Sequence, residues 1–216
     1  MSFTYGIEIE GAFVLPSRGM RWWTGGTDGS VNASCEHQNA SECRSTVLRS
    51  MEEVRRAIEE LSPCLFATNL SCGTHIHVGG LSPEQYTILF LNKNLFKVFK
   101  TEYMHFLESM PREMYEKYSH RLDNDYCSFG LSDLKVVDQM FCKSNYHSIP
   151  HNSSARYKAV NFAYFAHKTV EFRAFPYVEV PLSFQEIKLW IDLATTSIKK
   201  ALRLPVDASF EEVIEL

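Results

Sequence analysis

The chain has 216 residues, 22 Lys and Arg against 26 Asp and Glu, a net charge of −4 and 45% hydrophobic residues. That is the size of one large domain with a substantial core, and we read residues 1–216 as a single domain. No basic run points to nucleic acid or an anionic membrane surface, and no apolar run approaches the roughly 20 residues of a membrane helix. Cys35, Cys43, Cys64, Cys72, Cys127 and Cys142 contain no C-x-x-C pair. With the first candidate strand starting close to Met1, no cleavable leader is expected, which places the protein in the cytoplasm with reduced thiols.

Residues 3–13 read as the first strand. In Tyr5-Gly6-Ile7-Glu8-Ile9-Glu10-Gly11 the alternation puts Glu8 and Glu10 on one face and Ile7 and Ile9 on the other. A loop through Pro16–Gly19 and a short strand at Arg21–Thr24 lead to Gly25-Gly26-Thr27-Asp28-Gly29-Ser30, which is dense turn chemistry with an acid at its tip. Val31 to Gln38 is expected to return as a strand carrying Glu36. From about Cys43 to Leu61 the apolar positions Val47, Met51, Val54, Ile58 and Leu61 step by four and three, the period of an amphipathic helix.

Cys64–Ala67 predicts a strand that turns at Asn69 into Cys72-Gly73-Thr74-His75-Ile76-His77-Val78-Gly79-Gly80, where His75 and His77 share one strand face between glycines. Ser82-Pro83-Glu84-Gln85 is a capping box opening a long helix to about Leu107, whose stripe of Leu89, Phe96, Phe99, Tyr103 and Phe106 reads as core. Residues 108–155 have no clean period, with helical patterns at Pro111–Tyr118 and Ser132–Phe141 and a loop at Asn145–Ser154. Arg156–Phe162 and Thr169–Phe175 pair as a hairpin, Glu171 and Arg173 sharing a face. A last large helix starts at Ser183-x-x-Glu186, burying Phe184, Ile187, Ile191, Ala194 and Ile198, and a short one follows within Asp207–Leu216.

Three strands thus each carry a polar pair over an apolar underside. Strands and helices mix without regular βαβ alternation, so the expected fold is α+β: a curved antiparallel sheet with helices on one face and the polar pairs on the other. Carboxylates, imidazoles and a guanidinium brought together form a hard ligand set suited to Mg²⁺ or Mn²⁺ bound with phosphate. The close histidine pair lacks the third His or Cys of a usual catalytic zinc site, and no P-loop is present. Two other readings stand beside a metal–nucleotide enzyme: a metal-dependent hydrolase using the His-x-His strand, and an inactive binding module of the same fold.

Gly6-Ile-Glu8-Ile-Glu10, Thr27-Asp28-Gly29-Ser30, Cys72-Gly-Thr-His75-Ile-His77-Val-Gly, Arg156-Tyr-Lys158-Ala-Val-Asn161 and Thr169-Val-Glu171-Phe-Arg173-Ala-Phe resemble, in that order, the motifs of the amidoligase family, a branch of the glutamine synthetase and glutamate–cysteine ligase superfamily. The resemblance covers residues 3–176, with residues 81–150 matching only as helix. It implies a glutamine synthetase-like catalytic core binding ATP and Mg²⁺, and amide formation from a small-molecule or peptide carboxylate and an amine through an acyl phosphate. It also implies Glu8 and Glu10 as metal ligands, His75 and Glu171 as ligands shared with the nucleotide phosphates, and Arg173 as a phosphate clamp. Arg156 falls at the position of an anion binder near the transferred phosphate, Lys158 falls to the nucleotide, His77 either backs the cofactor's ligands or contacts the substrate, and Asp28 lies in the loop near the amine. Relatives carry a Glu in a clearer strand after the Asp-Gly-Ser turn; here Glu36 is the candidate for that extra ligand and Glu42 its rival.

Overall fold

The computed structural model describes residues 2–91, 94–122, 127, 129, 158–162, 169–205 and 213. Arg156, the helix expected at 132–141, the loop at 145–154 and the tail helix at 207–216 lie outside the described residues. The described chain is a mixed α/β fold of seven strands and five α-helices. It divides into two compact units: Thr4–His77 with Phe175–Ile191, and Met1–Phe3 with Val78–Ala174 and Asp192–Leu216.

In the first unit β1 (Thr4–Phe13) is the centre. It pairs antiparallel with β3 (Ala40–Ser45), which pairs antiparallel with β2 (Trp23–Gly26). β4 (Leu65–Ala67) pairs with the end of β1, and β5 (Thr74–Gly79) is another neighbour of β1. Ile7 and Ile9 on the underside of β1 are almost fully buried, as the alternation requires. Helix α1 (Met51–Leu61) buries Val54, Ala57, Ile58 and Leu61, a face of three- and four-residue steps. Glu60 accepts hydrogen bonds from the backbone N–H groups of Arg21 and Trp22 at 2.8 and 2.9 Å, and Trp23 Nε1 donates to the Ala57 carbonyl at 2.7 Å, so α1 is pinned to β2.

Residues Val31–Gln38 form no strand; the strand that returns to β1 is β3, at Ala40–Ser45. The helix does not begin near Cys43, because residues 43–45 belong to β3 and Val47 is 58% exposed. It begins where Ser50 accepts from the Glu53 N–H at 3.2 Å and the Glu53 carboxylate accepts from the Arg49 N–H at 2.6 Å, satisfying two donors at the helix start. Ser50→Ala is expected to destabilise the protein by about 1 kcal/mol. Val47→Ala should change stability by less than about 0.5 kcal/mol. Urea midpoints of the two variants check both figures.

In the second unit β6 (Val160–Asn161) pairs antiparallel with β7 (Val170–Phe175), the hairpin pairing expected from the sequence. The stretch expected as one long helix contains α2 (Pro83–Leu91) and α3 (Asn94–Glu108), with residues 92 and 93 outside the description. The α2 capping box is reciprocal, Gln85 N–H to Ser82 Oγ at 3.1 Å and Ser82 N–H to Gln85 Oε1 at 3.0 Å. On α3, Phe99 meets Phe172 of β7 edge-on at 4.8 Å, and the Tyr103 hydroxyl donates to the Ala174 carbonyl at 2.8 Å. Phe99 and Tyr103 of the expected stripe are therefore packed against β7 in the core, whereas Phe96 and Phe106 are half-buried. α4 (Arg112–Ser119) follows, and α5 (Phe184–Ala201) belongs to this unit from Asp192 on, its Lys200 paired with Glu102 of α3 at 2.8 Å. Among the described residues no helix is long and apolar enough to cross a membrane.

Candidate functional site

The polar face of β1 and its neighbours concentrates ionisable groups in the first unit. Strand alternation aims Glu8 and Glu10 the same way, and the β1–β3 register places Arg44 opposite Glu8 and Glu42 opposite Glu10. From β5, His75 and His77 reach the same carboxylate: His75 Nδ1 lies 3.1 Å from Glu8 Oε2 and His77 Nε2 lies 3.2 Å from Glu8 Oε1. A Cβ at Gly6 would come within 3.3 Å of the His77 Cβ, so glycine on β1 is what lets this imidazole pack so close. Glu10 is gripped through both backbone and side chain: its N–H donates to the Gly73 carbonyl at 3.1 Å, and Gly73 N–H donates to Glu10 Oε2 at 2.5 Å. Its other oxygen lies 3.7 Å from His75 Nε2.

The residue the sequence favoured as the extra acid is not among these. Glu36 sits outside any strand, its side chain 88% exposed and 3.4 Å from His37. Glu42, the rival, is 4% exposed and ion-paired with Arg44, whose Nε also lies 3.8 Å from Glu8 Oε1. Sequence reading missed Arg44 altogether. The signal was available, since Glu42-Cys43-Arg44 repeats the Glu-x-Arg spacing of Glu171-Phe172-Arg173, but the helical period running back from α1 masked it.

These groups perturb one another. Burial pushes the Glu8 carboxyl up, yet its hydrogen bonds to His75 and His77 and their charges outweigh that and hold it well below the usual carboxylate range. Glu42 moves the other way: burial, then the neighbouring Glu8 and Glu10 carboxylates, raise it against the pull of Arg44 and His75. A raised folded-state acid destabilises the protein as pH climbs above the unfolded value. Glu42→Gln is therefore expected to raise the melting temperature of metal-free protein more at pH 8 than at pH 5. Differential scanning fluorimetry in EDTA checks this, and an unchanged or lower value at pH 8 would mean the acid is paired without strain. Beside it, burial pushes the Cys43 thiol up to about 12, which makes that cysteine inert.

Asp28 is fixed to β3 by Ser41, whose hydroxyl accepts from the Asp28 N–H at 2.6 Å, and its own carboxylate holds Ser30 through the N–H at 2.8 Å and the hydroxyl at 2.6 Å. It forms a braced turn beside the strand that carries Glu42.

The second unit supplies its own polar group. Glu171 is 1% exposed and accepts from Asn161 Nδ2 at 3.0 Å and from Arg173 Nη1 at 2.7 Å. Lys158 is buried just ahead of β6. Arg156 lies outside the described residues.

Three buried carboxylates facing one guanidinium and two imidazoles in the first unit are the donor chemistry of a divalent cation site. The family model described as "putative amidoligase enzyme" matches residues 4–197. The chain belongs to the amidoligase family. No curated protein and no solved structure matches it. At the level of the family, the activity of this amidoligase is that of an amide-forming ligase.

Proposed function

We propose that this amidoligase is an ATP- and Mg²⁺-dependent carboxylate–amine ligase of glutamine synthetase-like architecture, with Mn²⁺ able to replace Mg²⁺. It joins a small-molecule or peptide carboxylate to an amine through an acyl phosphate. The observation that carries the reading is the buried carboxylate–imidazole cluster of Glu8, Glu10, Glu42, His75 and His77 in a chain of this family.

Glu8, Glu10 and His75 are the metal ligands of this reading in the first unit, with Glu42 in the role first assigned to Glu36; Glu171, in the second unit, is the further ligand that the family resemblance implies. Divalent ions bound there would offset the repulsion between the substrate carboxylate and the ATP phosphates. His75 and His77 hold Glu8 in its ionised form, so the strand keeps a charged ligand at neutral pH. Arg173 binds phosphate, its guanidinium oriented by the pair with Glu171. Arg156 and Lys158 add cationic donors to the nucleotide. The substrate carboxylate oxygen attacks the γ-phosphorus and ADP leaves; the amine nitrogen then attacks the acyl carbon, phosphate leaves, and Asp28 takes the proton released from the amine. The reading keeps the protein in the cytoplasm, where ATP is supplied.

The test is Mg²⁺-dependent ADP release from ATP against a panel of amino acids, peptides and amines, with Glu171→Ala as the control. Release that needs both an acid and an amine and is lost in the variant supports the ligase. A zinc content near one per chain with no ATP affinity would instead leave a hydrolase built on the His75-x-His77 strand.

A further inference from the structure

Arg121 follows α4 in the stretch where the sequence showed no clean period, and it is 4% exposed. Among the described residues no carboxylate pairs with its guanidinium. The head makes one hydrogen bond there, Nη2 to the backbone carbonyl of Arg173 at 2.8 Å, and its buried Nε makes none. A guanidinium taken from water without a counter-charge is expensive, and a merely structural link to a carbonyl needs no charge.

The surroundings show what that link fixes. Arg173 N–H donates to the Ala159 carbonyl at 2.9 Å, so its peptide groups are held on both sides, by the residue just ahead of β6 and by Arg121. The next carbonyl, of Ala174, is held by the Tyr103 hydroxyl. Arg121 is itself braced: its N–H donates to the Tyr118 carbonyl at 3.1 Å, and its carbonyl accepts from Cys127 Sγ at 3.1 Å. Rigid support therefore converges on the one β7 residue whose side chain pairs with Glu171.

We propose that Arg121 is a positioning residue for Arg173, fixing the β7 peptide from which the Arg173 guanidinium projects so that its head stays aimed at a nucleotide phosphate. The proposal rests on the nucleotide role given to Arg173 above. It makes the segment after α4 part of the site's support, acting through backbone and touching no substrate.

A double-variant cycle tests it, with MgATP titrated into the full chain by calorimetry for the wild type, Arg121→Met, Arg173→Met and the double variant. Arg121→Met is expected to weaken MgATP binding about tenfold in the wild-type background and less than twofold beside Arg173→Met, as loss of a supporting hydrogen bond acts only through the group it supports. Arg121→Lys, which keeps a charged donor, should recover part of the loss. Equal weakening in both backgrounds would overturn the positioning role and leave Arg121 with folding alone. If Arg121→Met does not fold, the cycle is run with Arg121→Lys and the same non-additivity is required. A wild-type chain that binds no MgATP overturns the nucleotide reading and this proposal with it, a result distinct from additivity.

Discussion

Glu8→Gln is expected to lower Mn²⁺ affinity, and the rate of ADP release, by at least about 100-fold while leaving the chain folded. Glu8 is 9% exposed, and its two oxygens lie 3.1 and 3.2 Å from His75 and His77. The amide matches it in size, so packing on β1 survives. It removes the negative charge, however, and turns one of the two acceptors into a donor, so only one imidazole keeps an oxygen to bond. The two histidines can adopt other tautomers; a divalent cation has no such recourse and loses a charged ligand. Glu36→Ala is the matched comparison, expected to change either quantity by less than about twofold, as its carboxylate is exposed and ion-paired with His37. Metal titration followed by electron paramagnetic resonance separates the outcomes. Wild-type affinity in Glu8→Gln would remove β1 from the metal site, and a large loss in Glu36→Ala would restore the acid that the fold places outside it.

Trp190→Ala should have the largest effect on stability, a loss of about 3–5 kcal/mol. Trp190 is fully buried on α5 and stacks on Phe175 at the end of β7, with ring centroids 5.3 Å apart and planes within 12°. Truncation removes the largest fully buried side chain and leaves a cavity that strand and helix backbones cannot close. For a chain of this size the melting temperature should fall by roughly 10 °C. Urea denaturation gives the free energy directly, and a loss below about 1 kcal/mol would show that the ring lies outside the packed interior.

Much of the candidate site was legible because strand geometry has a period of two. Glu8 with Glu10, His75 with His77, and Glu171 with Arg173 each share a face for that reason alone, and the structure keeps each pair on its strand. The capping box at Ser82–Gln85 and the buried stripe of α3 were equally local. The choice between Glu36 and Glu42 was not. Both are acids in a stretch poor in β-branched residues, and only the register of β3 against β1 decides which one faces Glu10. The helical period running back from α1 also hid the strand at Ala40–Ser45, although Ser50 and Glu53 mark the true start of the helix.

The sequence by itself therefore determined which ionisable side chains travel together on a strand, where two helices start and which helical stripes are buried, since these depend on neighbours within about four residues. The tertiary structure alone decided that both imidazoles converge on Glu8, that Glu42 and Arg44 join the cluster while Glu36 stays outside, and that Arg121 braces Arg173 across 52 residues. Those pairings are set by strand register and by which buried donors must find acceptors once the core closes, and no local pattern encodes either.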